Sequence, residues 1–123
     1  MTAKSFGAYF KDRRIAAGKT LRAFCEANGF DPGNISKLER GKLGPPESTE
    51  KLEEYARALG LKRGSTEWYE FFDRAAAERG RLPGDLLSDK ELLGKLPVLF
   101  RTLRGSKIDA QHLDALIERI RRT

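Results

Sequence analysis

Hydrophobic residues recur along the chain mostly with the period of an α-helix. The clearest run is Leu52, Tyr55, Ala56 and Leu59, which have the i, i+3, i+4, i+7 spacing of one helical face. No segment shows a convincing alternation of apolar and polar residues that would indicate a strand. The pattern therefore predicts an all-α fold.

Capping residues place five helices in the first 80 residues. Ser, Thr or Asp precedes three of them, where a side-chain oxygen can accept a free backbone N–H, and glycine follows them. The expected helices run from Ser5 to Gly18, from Thr20 to Asn28-Gly29, from Asp31 to Gly41, over 49–59, and from Ser65 to about Arg79. Pro32 falls at the first helical position of the third helix, where its missing N–H has no cost.

The segment "GRLPGD" (80–85) breaks the helical pattern. It predicts two domains, a compact head over 1–80 and a helical tail over 81–123. Ser88 and Glu91 have the spacing of a capping box for a sixth helix. Pro97 is expected to break or kink that helix, so that "PVLFRTLRG" forms a separate short one. A last helix is expected over 110–122.

The apolar residues of the tail lie on helices too short to be stable alone in water, so they must pack against another surface. They predict a surface for dimerisation or for another protein partner, and packing onto the chain's own head is the alternative. This surface comprises Leu96, Phe100, Leu103, Leu113, Leu116, Ile117 and Ile120.

The net charge of +6 is unevenly distributed. Residues 1–43 contain nine Lys and Arg against four acidic residues, whereas residues 44–80 contain six against eight. A localised positive field is what a binding face for a polyanion requires, and nucleic acid is the simplest such partner.

Catalytic and metal-binding patterns are missing from the sequence. Cys25 is the only cysteine and His112 the only histidine, so we expect no disulfide, metal, cofactor or enzymatic activity. The aromatic run "EWYEFF" is interpreted as core or subunit contact rather than as a base-stacking platform. No apolar run is long enough for a signal region or a membrane span, which predicts a cytoplasmic protein without a membrane partner.

The second and third helices carry the clearest functional pattern. They are short, they are joined by a tight turn at Asn28-Gly29-Phe30, and basic residues flank the second of the pair. This is the helix-turn-helix arrangement, in which one helix crosses the DNA backbone and the next lies in the major groove.

The stretch from residue 5 to 61 resembles the xenobiotic-response-element (Cro/C1-type) helix-turn-helix regulators. The matching residues are Phe6-Gly7, Arg14, Gly18 and, most specifically, "ISKLERG" over 35–41. The resemblance implies a five-helix, lambda-repressor-like head with 35–41 in the recognition helix. It also implies an ion pair between Arg14 and Glu39 that ties the first helix to the recognition helix.

The chain departs from the family at three places. Leu21 stands where a glutamine usually bonds the DNA backbone, which leaves Thr20 and Arg22 as substitutes. Cys25 replaces a small alanine and is interpreted as core packing. Pro32 and Gly33, in the first turn of the recognition helix, offer no base-reading group, but they allow its N-terminal N–H groups to approach a phosphate closely.

Direct base reading is therefore expected from the residues that follow. Asn34 can bond the N6 and N7 atoms of adenine, and Lys37 suits O6 and N7 of guanine. Ser36 is a weaker candidate for base reading. Gly33 is included in the base-reading surface because it allows the helix to approach the DNA closely. Phosphate contacts are assigned to Lys11, Thr20, Arg22, Arg40 and Lys42.

Two functions fit this reading. The first is a sequence-specific regulator, most simply a repressor, that binds a palindromic site on double-stranded DNA as a homodimer. The second is an antitoxin whose tail binds a toxin protein and whose head regulates its own gene. The regular apolar stripe of the tail favours the first.

Overall fold

A computed structural model describes residues 5–105 and, beyond them, Gln111, Asp114, Ala115, Ile117 and Glu118. All secondary structure over these residues is helical, which confirms the all-α prediction. The helices are α1 (Phe6–Ala16), α2 (Leu21–Asn28), α3 (Pro32–Glu39), α4 (Thr49–Ala58), α5 (Thr66–Glu78), α6 (Gly84–Leu87) and α7 (Lys90–Gly105). The chain forms two compact units, Met1–Pro83 and Gly84–Thr123.

Polar side chains fix where the first five helices begin. Ser5, Thr20, Asp31, Ser48 and Ser65 each accept a hydrogen bond from the backbone N–H three residues later, at 2.9–3.2 Å. Each bond satisfies one N–H that the helix itself leaves unpaired, and is worth about 1 kcal/mol. The short polar residues between the apolar runs therefore set the helix boundaries.

Aromatic rings fill the core of the first unit. Phe10 of α1 lies at its centre and meets the rings of Phe24 (5.7 Å between centroids), Tyr55 (5.5 Å) and Phe71 (6.5 Å), which come from α2, α4 and α5. Burying one such side chain stabilises the fold by about 1.5–3 kcal/mol. One aromatic cluster thus joins four helices, and Ile35 and Leu38 of α3 belong to the same buried core.

The recognition-helix candidate α3 packs closely against α1. Ile35 and Leu38 of α3 are buried, and the α1 backbone at Gly7 lies against the end of α3. A Cβ on Gly7 would overlap the carbonyl oxygen of Leu38 and would lie 3.1 Å from that of Glu39. Glycine therefore permits a helix-to-helix approach that any larger residue would prevent.

The end of α5 holds two distant segments of the first unit. Glu78 accepts a 3.0 Å hydrogen bond from the backbone N–H of Phe6, at the start of α1. Arg79 donates to the carbonyl oxygen of Pro45 and to Glu47 at 3.2 Å. The loop between α3 and α4 is therefore tied to the end of α5.

The start of the second unit differs from the expected tail in two respects. A short helix, α6, occupies part of the predicted break. Asp89, rather than Ser88, caps α7 by accepting from the N–H of Leu92 at 3.1 Å, while the hydroxyl of Ser88 donates to the carbonyl of Asp85. The predicted capping box is therefore wrong, because Ser88 is used to close α6.

Pro97 does not divide the following segment into two helices, so the prediction of a separate short helix is also wrong. It lies inside α7, which runs from Lys90 to Gly105. The fixed φ of proline is close to the helical value, and what is lost is the hydrogen bond of its own missing N–H. The helical hydrogen bonds made by the residues before and after Pro97 outweigh the loss of this one bond.

Exposed apolar side chains mark α7. Val98 is 64% exposed, Phe100 48% and Leu99 43%, whereas Leu96 and Leu103 are half-buried. Of the predicted last helix, Ile117 is helical and 41% exposed, while Leu113, Leu116, Ile120 and His112 lie outside the described residues. Within the described part of the chain, no helix has the length and apolar character that a membrane span needs.

Candidate nucleic-acid interface

A three-residue turn joins α2 to α3. Gly29 ends α2 in the left-handed conformation, at φ 70°, which glycine adopts without a steric penalty. The N–H of Phe30 then bonds the carbonyl of Cys25 at 3.0 Å, and the Phe30 ring packs on Phe24 and Tyr55 with centroids 5.6 and 5.0 Å apart. The turn is therefore fixed both by backbone bonding and by an aromatic anchor.

The exposed residues of α3 form one ridge and one flank. Gly33, Lys37 and Arg40 are exposed and have i, i+4, i+7 spacing, which places them on one stripe opposite the buried Ile35 and Leu38. We call Gly33, Lys37 and Arg40 the α3 ridge. Of the two polar residues beside it, Asn34 is exposed and Ser36 is partly buried.

The first turn of α3 carries its own anion. The Asp31 carboxylate accepts from the N–H of Asn34 at 2.9 Å, and Pro32 has no N–H to offer. This carboxylate already binds a free N–H of the helix terminus, and its negative charge repels a phosphate. The N-terminus of α3 is therefore a less favourable site for a DNA phosphate than the sequence suggests. The ridge further along α3, rather than its N-terminus, holds the positive charge.

Cationic and hydroxyl groups flank the helix pair. Thr20 caps α2 through an N–H bond from Ala23, and Arg22 lies in the first turn of α2 with an 89% exposed side chain, 3.6 Å from Glu26. Lys11 is exposed on α1, and Lys42 is exposed just beyond the end of α3.

Arg14 and Glu39 come together as a buried two-pronged ion pair. Nε and Nη2 of Arg14 donate to the two Glu39 oxygens at 2.8 and 2.9 Å, and their side chains are only 8% and 5% exposed. Nη1 of Arg14 donates to the carbonyl of Lys19 at 2.9 Å. The hydrogen bonds to Glu39 raise the pKa of Arg14, against the opposing effect of burial. This pair joins α1, the segment before α2, and the last residue of α3.

The sequence did not predict the contacts that Gly7 and Lys51 make near α3. Gly7 was recognised only as part of a motif, and its close contact with α3 has no local sequence signal. Lys51 of α4 lies with Nζ 5.1 and 5.2 Å from the ring centroids of Phe30 and Tyr55. Its i, i+4 spacing from Tyr55 is a signal that could have indicated the second contact.

Comparison with known families agrees with this geometry. A family model described as a helix-turn-helix domain matches residues 5–68, slightly more than half of the chain. The match begins at the cap of α1 and extends into α5. No curated protein and no solved structure matches the chain.

Proposed function

The chain belongs to the helix-turn-helix domain family, and on that premise we propose that it is a sequence-specific regulator of transcription that binds a palindromic DNA site as a homodimer. The observation that carries the proposal is the division of α3 into two faces. One face is held in the core and by the Arg14–Glu39 pair, while the α3 ridge presents Lys37 and Arg40 to solvent. A helix held rigidly on one side and cationic on the other is suited to the major groove.

Sequence reading is assigned to the middle of α3. Lys37, on the ridge, is suited to the O6 and N7 acceptors of guanine, and Asn34, on the flank, to N6 and N7 of adenine. Ser36 is the weaker reader because it is partly buried. Gly33 contributes space, since its missing side chain lets the helix approach the base pairs closely.

Positioning on the duplex is assigned to Lys11, Thr20, Arg22, Arg40 and Lys42 through phosphate contacts. The Arg22–Glu26 pair does not prevent this role. An exposed i, i+4 pair contributes only about 0.3–0.5 kcal/mol, so Arg22 can exchange Glu26 for a phosphate at small cost.

Dimerisation is assigned to the second unit. One short recognition helix reads few base pairs, so useful affinity requires two copies on two half-sites about 34 Å apart. The exposed Val98, Leu99 and Phe100 of α7 supply apolar surface for such a contact. A regulator of this kind acts most simply as a repressor, by occupying its site.

The test is selection of bound sequences from a random DNA pool by the full-length protein, followed by footprinting. We expect a two-fold symmetric site with half-sites one helical turn apart. Recovery of unrelated sequences with no common half-site would contradict it.

An antitoxin is the second candidate, because the exposed apolar residues of α7 would equally suit a foreign protein. The two are distinguished by the oligomeric state of the isolated full-length chain. A monomer at micromolar concentration, combined with tight binding to the product of a neighbouring small gene, would favour the antitoxin.

A further inference from the structure

A cleft of about 300 Å³ lies between α3, the loop after it and α4. Leu38, Leu43 and Pro46 form its apolar walls, and Asn34, Lys51 and Tyr55 contribute polar groups. A volume of this size is at the lower end of the range for small-molecule sites, which are mostly apolar with a few polar groups. No residue of the α3 ridge lines the cleft, whereas Tyr55 belongs both to its lining and to the aromatic core.

The polar side chains that line the cleft can still form hydrogen bonds or an ion pair with a ligand. Among the described residues, neither the Asn34 carboxamide nor the Tyr55 hydroxyl makes a hydrogen bond to protein. The ammonium of Lys51 lies over the rings of Phe30 and Tyr55, and it forms an ion pair with Glu54 at 3.4 Å. The side chains of Lys51 and Glu54 are both more than 40% exposed. A pair as exposed as this is easily exchanged for another anion.

We propose that this cleft binds a small organic anion, a single ring bearing one carboxylate or phosphate, and that the bound anion weakens DNA binding. The ring lies against Leu38, Leu43 and Pro46, where burial of apolar surface supplies affinity. The anionic group pairs with Lys51 and receives hydrogen bonds from the amide of Asn34 or the hydroxyl of Tyr55.

The effect on DNA rests on the proposed function, because Asn34 borders the cleft and is also assigned to base reading. An anion that holds the Asn34 amide removes it from the groove and adds negative charge beside the DNA backbone. Ligand and DNA then bind with negative coupling, and each lowers the affinity for the other by the same factor.

Three matched changes separate the parts of this proposal. Benzoate is the probe and benzyl alcohol its uncharged partner, so that comparison of the two tests the need for an anion. Lys51→Gln removes the cation. Gly44→Leu fills the cleft, because Gly44 lines it, has open space at its Cβ position, and does not need a positive φ.

Binding is measured on the full chain by two-dimensional NMR, following the Asn34 side-chain amide and the Gly44 backbone amide, with Gly64 as a distant reference. We expect benzoate to shift the first two signals with a dissociation constant of about 1 mM, typical of so small a ligand. Benzyl alcohol and the Lys51→Gln variant should each bind about tenfold more weakly, and Gly44→Leu should abolish the shifts. Equal shifts from benzoate and benzyl alcohol would overturn the proposal. So would the absence of any shift from both benzoate and phenyl phosphate, the corresponding probe with a phosphate group.

The second measurement titrates a selected DNA site in the presence and absence of 10 mM benzoate, a concentration about ten times the expected dissociation constant. We expect several-fold weaker DNA binding for the wild type and no effect of benzoate on Gly44→Leu. A sugar-phosphate unit of DNA also combines a small ring with an anion. If Gly44→Leu, which changes no charge, weakens DNA binding without any benzoate, the cleft is a DNA contact and the proposal is wrong. If the wild type binds no DNA at all, the proposed function fails, and the NMR result still decides whether the cleft binds anions.

Discussion

Gly7 of α1 lies directly against the carbonyl oxygen of Leu38 in α3, so that a Cβ at position 7 would overlap that oxygen. The contact is between two backbones, which cannot move aside as a flexible side chain can. The Arg14–Glu39 pair lies about two turns further along α1 and at the end of α3. Together, the two contacts fix the distance between these helices. The orientation of the α3 ridge therefore depends on α1.

Replacement of Gly7 by alanine should push α1 and α3 apart. Overpacking of this kind costs about 1–3 kcal/mol, which exceeds the gain from alanine's better helix propensity. Urea unfolding followed by circular dichroism measures it. Gly44→Ala is the matched control, because its Cβ would meet nothing within 4 Å, and it should cause no loss. Equal effects of the two variants would show that α1 and α3 have room to separate.

Loss of one partner of the buried ion pair should be strongly destabilising. Glu39→Gln leaves the Arg14 charge buried without its counter-charge, and we expect a loss of about 3 kcal/mol in the free energy of unfolding. Glu26→Gln, in the exposed pair with Arg22, should change it by no more than about 0.5 kcal/mol. The double variant Arg14→Met, Glu39→Leu should recover part of the loss. If it is less stable than Glu39→Gln, the cost does not arise from an unpaired buried charge.

The sequence predicted the helix starts well where a polar capping residue is followed by apolar residues at helical spacing. Ser5, Thr20 and Asp31 are caps in the structure as expected, because a side-chain bond to the nearest free N–H depends only on neighbouring residues. The cap predicted at Ser88 was wrong by one residue: Asp89 caps α7, because the Ser88 hydroxyl bonds the carbonyl of Asp85 in α6.

The surroundings of α3 were harder to predict because they depend on residues far apart in the chain. The hydrogen bond from Phe6 to Glu78 and the bonds from Arg79 to Pro45 and Glu47 have no counterpart in any local pattern. The Arg14–Glu39 pair was expected from family resemblance alone. The cleft beside Asn34 likewise forms only when the loop and α4 are in place.

Cys25 should make stability fall at alkaline pH. Burial raises the pKa of its thiol above the ordinary value of 9.0, so the folded protein keeps the proton to higher pH than the unfolded chain does. The contribution to stability is therefore complete below pH 9 and is lost as the pH rises through the folded-state value. Urea unfolding at pH 8 and pH 10 measures the loss, and Cys25→Ala should reduce it. An unchanged loss in that variant would assign the effect to Tyr9 and Tyr55, whose pKa values burial also raises.

Charge on the exposed face of α7 should prevent dimerisation. The full-length protein with Val98→Glu and Phe100→Glu should sediment as a monomer and bind a palindromic site far more weakly, while its single half-site affinity stays the same. Tyr69→Glu is the matched control, because Tyr69 is 51% exposed on α5 of the first unit and should leave the sedimentation unchanged. A wild-type monomer, or a dimer that survives both α7 substitutions, would remove α7 from the interface.

DNA binding by the α3 ridge is tested most directly by fluorescence anisotropy with a selected site and a scrambled duplex over a range of salt concentrations. Arg40→Ala should weaken binding to both duplexes and reduce the slope of log affinity against log salt by about one unit. Lys37→Ala should instead cost about 1–3 kcal/mol on the selected site and relax discrimination at one guanine. Lys62→Ala, an exposed cation outside α3, should do neither. If Lys37→Ala and Arg40→Ala bind both duplexes as the wild type does, the ridge does not face DNA and the proposed function is wrong.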